Sequence, residues 1–274
     1  MKKIGLALGG GGAKGLAHVL MLEAFDELGV RPAAIAGSSI GAAIAALYAS
    51  GLSAQEIRAG IDALVPPLRG HLTRRFFRKD LSGLIGRMDP KVGPRGLLRG
   101  EKFMAYLYRS LSHMTFEDLE IPLTVVAADF WKREQVVFDS GELLTPLKAS
   151  MALPWIFRPV LHEGRVLIDG GTVNPVPYDL LPADCDVTVA IDVLGTRAHR
   201  AGSRPNLLDG IFNTFQIMEK SIVEEKLKRK PCDIYIRPEI VDVRVLEFFR
   251  RDLIYRQAAP AKEELKRKLA KALD

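Results

Sequence analysis

Three short stretches of this chain carry residue types that could do covalent chemistry. The first is Gly37-Ser38-Ser39-Ile40-Gly41, a Gly-x-Ser-x-Gly spacing where a short apolar run gives way at once to a helical pattern. That order predicts a strand, a sharp turn and a helix. It is the arrangement of a nucleophile elbow, in which a strained turn pushes the serine hydroxyl into the open at a helix N-terminus. Gly37 and Gly41 suit a turn in which a Cβ would collide with a neighbouring element. The second stretch is Gly9-Gly10-Gly11-Gly12-Ala13-Lys14-Gly15, set between an apolar strand and a helix start, where backbone N–H groups can point together at an anion. The third is Asp169-Gly170-Gly171, an acid at the end of an apolar strand followed by residues that allow close backbone approach. Taken alone, Asp-Gly-Gly most often closes a strand as an Asx turn. Taken together, the three offer a nucleophilic hydroxyl, donors for an oxyanion and a carboxylate, which is what acyl transfer through serine requires.

Gly10 to Gly15 also fit G-x-G-x-x-G. A dinucleotide site needs an acid at the end of the next strand to hold the ribose, and here that strand ends in the Ser39 elbow instead. Lys14 is not followed by the Ser or Thr of an ATP-type phosphate loop. An oxyanion hole is the better use of this loop, with Gly11 and Gly12 donating and Gly10 assisting.

These residues must be held by ordinary elements. Residues 3–8 read as a buried first strand, and the helix after the glycine loop carries Leu16, Val19, Leu20 and Phe25 on a broad apolar face ended by Gly29. The elbow helix spans residues 40–50, and Ser53 with Glu56 forms a capping box for the next helix. Further helices are expected at 101–111, 143–151 and 206–230, and strands at 121–129, 134–138, 187–193 and 234–236. Residues 160–168 read as a hairpin turning at Glu163-Gly164. On helix 206–230 the stripe Leu208, Ile211, Phe212, Phe215, Met218 and Ile222 reads as core or a dimer seam. Pro260 is placed to open a final helix carrying Leu265, Leu269 and Leu273. Strands alternate with helices, no repeat occurs and no linker divides the chain. The expected fold is one α/β domain over residues 1–274, a three-layer sandwich with a mostly parallel central sheet and helices on both faces.

Composition narrows the functional classes. About half of the 274 residues are apolar, which provides for a sizeable core. The net charge of +6 suits an acidic partner, but no helix-turn-helix, zinc-finger or aromatic RNA-binding motif accompanies it, so no nucleic acid is expected. Cys185 and Cys232 read as reduced structural thiols, with a single disulfide left open. The apolar run after Lys2-Lys3 is too short and too glycine-rich for a signal peptide, and no stretch reaches membrane-spanning length. A soluble cytoplasmic protein is expected. The basic amphipathic stretch 68–79 has two readings: a helical insertion packed on the core, which is favoured, or a lid or surface-docking element that touches an anionic membrane from its cytoplasmic face. No metal-ligand cluster appears, so neither a metal nor a cofactor is expected.

The three motifs, in this order and context, resemble the patatin-like phospholipase family. Its glycine-rich loop matches Gly10-Gly11-Gly12-Ala13-Lys14-Gly15, its serine elbow matches Gly37-Ser38-Ser39-Ile40-Gly41, and its Asp-Gly-Gly element matches Asp169-Gly170-Gly171. Residues 148–154 resemble the family's linking block. The resemblance covers roughly residues 4–192; the C-terminal helical part, residues 200–274, matches less clearly. It implies a serine hydrolase acting on fatty-acyl esters of phospholipids or lysophospholipids. Ser39 would be the nucleophile, Asp169 the general base and the glycine loop the oxyanion hole. Lys14 reads as structural or as weak help to the anion.

Other readings share these residues. A Ser–Asp–His triad in the chain order of α/β-hydrolases would need His199, which sits in the polar, basic stretch Gly195-Thr196-Arg197-Ala198-His199-Arg200. His18, His71, His113 and His162 read as structural or loop residues. A soluble carboxylesterase or thioesterase could use the same dyad, and a non-catalytic module could bind acyl chains or a partner there.

Overall fold

The computed structural model describes residues 2–64, 106–107, 109–111, 114–196 and 207–274. The expected stretch 68–79, His199 and most of the expected helix 101–111 therefore lie outside the described residues. Among the described residues the strands are β1 Ile4–Leu8, β2 Ala34–Ser38, β3 Leu123–Asp129, β4 Glu134–Phe138, β5 Val160–His162, β6 Arg165–Asp169, β7 Val187–Ile191 and β8 Ile234–Ile236. They form one sheet in the order β5-β6-β3-β2-β1-β7-β8, with β4 also paired to β3. Strands β3, β2, β1, β7 and β8 run parallel. Strands β4, β5 and β6 add an antiparallel lobe at one side.

The central strands are apolar without alternation because both of their faces are covered. Ile4, Leu6, Leu8, Ile35, Val189 and Ile191 pack into the main core under helices α1 (Ala17–Glu27), α2 (Ile40–Ala49), α3 (Ala54–Leu64) and α6 (Arg251–Leu273). The opposite face holds small residues: Ala7 is in register with Ala36 on one side and Ala190 on the other. This row of alanines makes room for Val176, Tyr178 and Val223, the last on helix α5 (Leu207–Arg229). Helix α4 (Leu144–Ser150) closes the antiparallel lobe through Ala149 against Ala127, Val136 and Leu167. The result is three layers with a mostly parallel sheet, and the hairpin turns at Glu163 and Gly164, both at positive φ.

Two expectations are corrected. Pro260 lies inside α6 instead of opening it. An interior proline costs roughly 3 kcal/mol; here Ile254, Tyr255 and Ala258 before it, and Ala261, Leu265 and Leu269 after it, are all buried, and that packing holds the helix together across the break. On α5, Met218 is exposed, while Glu219 and Val223 are the buried residues. The helix is rotated so that an acid, not a methionine, faces the protein. Cys185 and Cys232 are free thiols. Among the described residues no helix is long and apolar enough to cross a membrane.

Candidate active site

β2 ends at Ser38, and the next residue, Ser39, takes φ 53 and ψ −128 as it caps α2. This backbone region costs a non-glycine residue on the order of 1–3 kcal/mol and is held only where the surroundings over-determine it. They do so here. A Cβ on Gly41 would stand 2.2 Å from the Leu8 carbonyl oxygen, so the first turn of α2 is pressed onto the end of β1. Gly37 lies against Ala42 and Gly15 against Ile40, which packs both the strand and the glycine loop onto the elbow. The Ser39 N–H donates to Ser150 Oγ at 2.8 Å. Its hydroxyl makes no bond to its own helix; it donates instead to Asp169 Oδ2 at 2.6 Å.

Asp169 arrives from the opposite direction. Along β3, Val126 pairs with Ser38 of β2, and the next residue, Ala127, pairs with Asp169 of β6. β4 pairs with β3 over Val125 to Asp129, so it occupies the other edge. β2 and the antiparallel β6 therefore share one edge of β3 and meet end to end. Their junction is the candidate site. Gly170 turns the chain away there, because a Cβ would fall 2.2 Å from the Val126 carbonyl oxygen and 3.0 Å from Ser38 Oγ. The Asp169 N–H donates to Ala152 O at 3.1 Å, and Gly171 N–H donates to Asp169 Oδ1 at 2.8 Å. Burial pushes the Asp169 carboxyl up to about 6, against the pull of the Ser39 hydroxyl and the Gly171 N–H.

The glycine loop lies over the elbow: a Cβ on Gly10 would come within 3.3 Å of Ser39 Cβ. Its N–H groups divide into two sets. Gly9 N–H donates to Ile191 O at 3.0 Å, and Gly10 N–H donates to Pro175 O at 2.9 Å. The expectation that Gly10 assists an oxyanion is thereby corrected, since its donor already serves to anchor the loop. Gly11 and Gly12 open the 3-10 turn Gly12–Leu16, where backbone donors precede the first intrahelical bond. Gly12 holds φ +59, pressed on Val245. Beneath the loop, the buried His18 ring bonds Gly9 O through Nε2 at 2.7 Å, and burial holds the imidazole down to about 4.

Two residues escaped the sequence reading. Ser150 fixes the elbow backbone; it lies within the linking block 148–154 but carries no chemical signature of its own. Glu219 comes from α5 and is buried against Gly171, where an added Cβ would be 2.5 Å from its Oε1. Burial, and then the charge of Asp169, raise its carboxyl well above the usual range, while Lys14 pulls it down. The signal was an acid interrupting an apolar helical stripe, three residues before Ile222 and four after Phe215. Lys14 is itself buried, with its stem on Gly195. Asp192 completes this polar floor; its carboxylate accepts from Leu194 N–H at 2.9 Å and from the Tyr235 hydroxyl at 2.6 Å.

Comparison with known proteins gives a family match. A family model described as patatin-like phospholipase matches residues 6–182, more than half of the chain. An uncharacterized NTE family protein of Mycobacterium tuberculosis is 31% identical over 207 residues, covering 75% of this chain and 53% of that protein. Lysophospholipase nte1 of Aspergillus fumigatus is 27% identical over 282 residues, covering 93% of this chain and 17% of that protein. The chain thus spans about half the length, or less, of these curated relatives. Among solved structures, VipD from Legionella pneumophila aligns with a TM-score of 0.52 at 16% identity, over 97% of this chain and 66% of that one, a likeness of fold.

Proposed function

The chain belongs to the patatin-like phospholipase family, and on that premise we propose that it hydrolyses fatty-acyl esters of phospholipids or lysophospholipids with Ser39 as nucleophile and Asp169 as base. The observation that carries the proposal is the 2.6 Å hydrogen bond from a strained, elbow-held Ser39 hydroxyl to a buried carboxylate. In the first step Asp169 takes the Ser39 proton while Oγ attacks the ester carbonyl. The oxyanion of the tetrahedral adduct is held by the N–H groups of Gly11 and Gly12. The adduct collapses, the C–O bond to the alcohol breaks, and the alkoxide takes the proton back from Asp169. Water, deprotonated by the same carboxylate, then attacks the acyl-serine; the acyl C–O bond to Ser39 breaks, Oγ takes the proton back from Asp169, and the fatty acid is freed.

A free aspartate is a poor base, with a reference pKa near ~4. Burial of Asp169 narrows the gap between its pKa and working pH, which supports its use as a base. The proposed mechanism uses no histidine, and those among the described residues have other contacts. His18 spends its Nε2 on Gly9 O, and His162 stacks edge-on against Phe138. A fluorophosphonate probe tests the reading, followed by analysis of the acids released from phospholipid, lysophospholipid, short ester and acyl-thioester. Labelling confined to Ser39 with release from the lipids supports it. Release from the thioester alone moves the protein to another ester class, and failure to label Ser39 makes it a non-catalytic module.

A further inference from the structure

The chain has only two tryptophans, Trp131 and Trp155, and both are exposed, at 74% and 76%. Large aromatic side chains dominate protein cores, so leaving both in water calls for a physical reason. Neither stands on a loose tail. Trp131 is at the tip of the β3–β4 hairpin, where the buried Asp129 carboxylate accepts from the N–H groups of Trp131 and Lys132, each at 3.0 Å. Its ring sits edge-on to Phe130 with centroids 4.9 Å apart. Trp155 has φ +73, a conformation bulky residues rarely adopt. Its turn is closed by Ile156 and Phe157 N–H groups donating to Leu153 O at 3.1 and 3.0 Å.

Both turns belong to the antiparallel lobe that brings Asp169 to Ser39. The Trp155 turn begins just after Ala152, whose carbonyl accepts from Asp169 N–H. The hairpin tip is three rungs along β6 from Asp169, because Phe130 N–H donates to Val166 O; at ~3.3 Å per residue this is about 10 Å. Val166 also pairs with Leu161 of β5. Phe130, Val166 and Leu161 thus form one cross-strand row, of which Phe130 is 47% and Leu161 78% exposed. Each turn follows its aromatic residues with cations: Phe130-Trp131-Lys132-Arg133 in one, Trp155-Ile156-Phe157-Arg158 in the other. Lys132, Arg133 and Arg158 are all exposed; Lys132 lies 3.7 Å from Glu134, a weak exposed pair.

Amphipathic rings beside lysine and arginine are the residues that sit at a bilayer's headgroup level. A second copy would bring the same cations face to face, whereas an anionic lipid surface complements both the rings and the charges. We infer that the hairpin tip at Trp131 and the turn at Trp155 are one docking surface for an anionic phospholipid bilayer, seating the lobe so that the Ser39–Asp169 junction faces lipid. The inference rests on the proposed lipid substrate and names how the site reaches it.

The test uses Ser39→Ala protein, which cannot consume the vesicles, in two further forms carrying Trp131→Phe or Trp155→Phe, each with one reporter ring. Both rings are expected to blue-shift and to be quenched by brominated chains on phosphatidylcholine–phosphatidylglycerol vesicles. Phosphatidylcholine alone should give much weaker binding. Lys132→Gln with Arg133→Gln should weaken vesicle binding by about thirtyfold. In the active enzyme Trp131→Ala should cut hydrolysis of vesicle lipid while leaving that of a soluble short ester unchanged. Vesicle binding with no emission change at either ring, a change at only one, or a shift driven by protein concentration without vesicles would each overturn the surface. None of these results depends on catalysis, so they are separable from failure of the hydrolase reading, which short-ester turnover by the active enzyme reports.

Discussion

Ser39 Oγ and Asp169 Oδ2 lie 2.6 Å apart although 130 residues separate them in the chain. The contact follows from a single strand. β3 offers one edge to two strands running at each other, and their last residues are held at the adjacent register positions Val126 and Ala127. The acid and the hydroxyl are thus placed by main-chain hydrogen bonding, and their side chains need little further ordering to meet.

The pH dependence follows from Asp169. Its carboxyl must be ionised to accept a proton, and burial sets its pKa at about 6. kcat/KM on a soluble ester should therefore rise tenfold per pH unit below about 6 and level off above it. Asp169→Asn should lose about 10²–10⁴-fold of the rate at neutral pH and show no such limb. A profile flat down to pH 4 would remove Asp169 as the base.

The same carboxyl costs stability. A buried acid with a raised pKa binds more protons folded than unfolded, so stability falls as pH rises from about 4 to about 6 and stays low above. Asp169→Asn should therefore be more stable than wild type at pH 8, by up to about 3 kcal/mol, with little difference at pH 3.5. Glu219, also raised, has the same sign: Glu219→Gln should gain melting temperature at alkaline pH. Thermal melts across pH decide both, and destabilised variants at pH 8 would contradict the account.

Adjacent serines give a sharp contrast. Ser38 Oγ is buried and has no hydrogen-bond partner among the described residues. Ser38→Ala removes that orphan and should be neutral or stabilising, with fluorophosphonate labelling intact. Ser39→Ala should fold equally well and lose labelling and turnover. Labelling retained in Ser39→Ala would assign the nucleophile elsewhere.

The junction tolerates no added bulk. Gly170→Ala drives a methyl toward the Val126 carbonyl at 2.2 Å, and backbone must shift to admit it. Loss of several degrees in melting temperature and of most activity is expected. The elbow has a gentler control: Ser150→Ala frees the Ser39 N–H and should lower kcat about tenfold at nearly unchanged KM, without altering the pH limb. Full activity of Gly170→Ala, or an unchanged kcat in Ser150→Ala, would show that these contacts do not position the site.

Much of this design is legible in sequence because its signals are local. Ser39 is visible from the change of period at Gly37 to Gly41, and the glycine loop from its place between β1 and α1. Asp169 is legible as a strand-end acid. The end-to-end meeting of β2 and β6 is not, since it depends on which edge of β3 each strand takes. Glu219 is hidden for a related reason. An acid on a long helix ordinarily faces water, and only the docking of α5 on Gly171 turns it inward. Pro260 misleads because a local rule for helix starts is overruled by the core contacts on both sides of it. Trp131 and Trp155 are invisible as surface residues, since their composition argues for burial.

The shared edge of β3 also ties the proposed chemistry to completion of the sheet. The Ser39 hydroxyl meets Asp169 only where the 160–169 hairpin has zipped onto β3 beside β2. On the proposed mechanism, a chain with the elbow alone would have a hydroxyl and no proton acceptor, and would leave nearby esters intact. On that reading the fold itself acts as the safety catch.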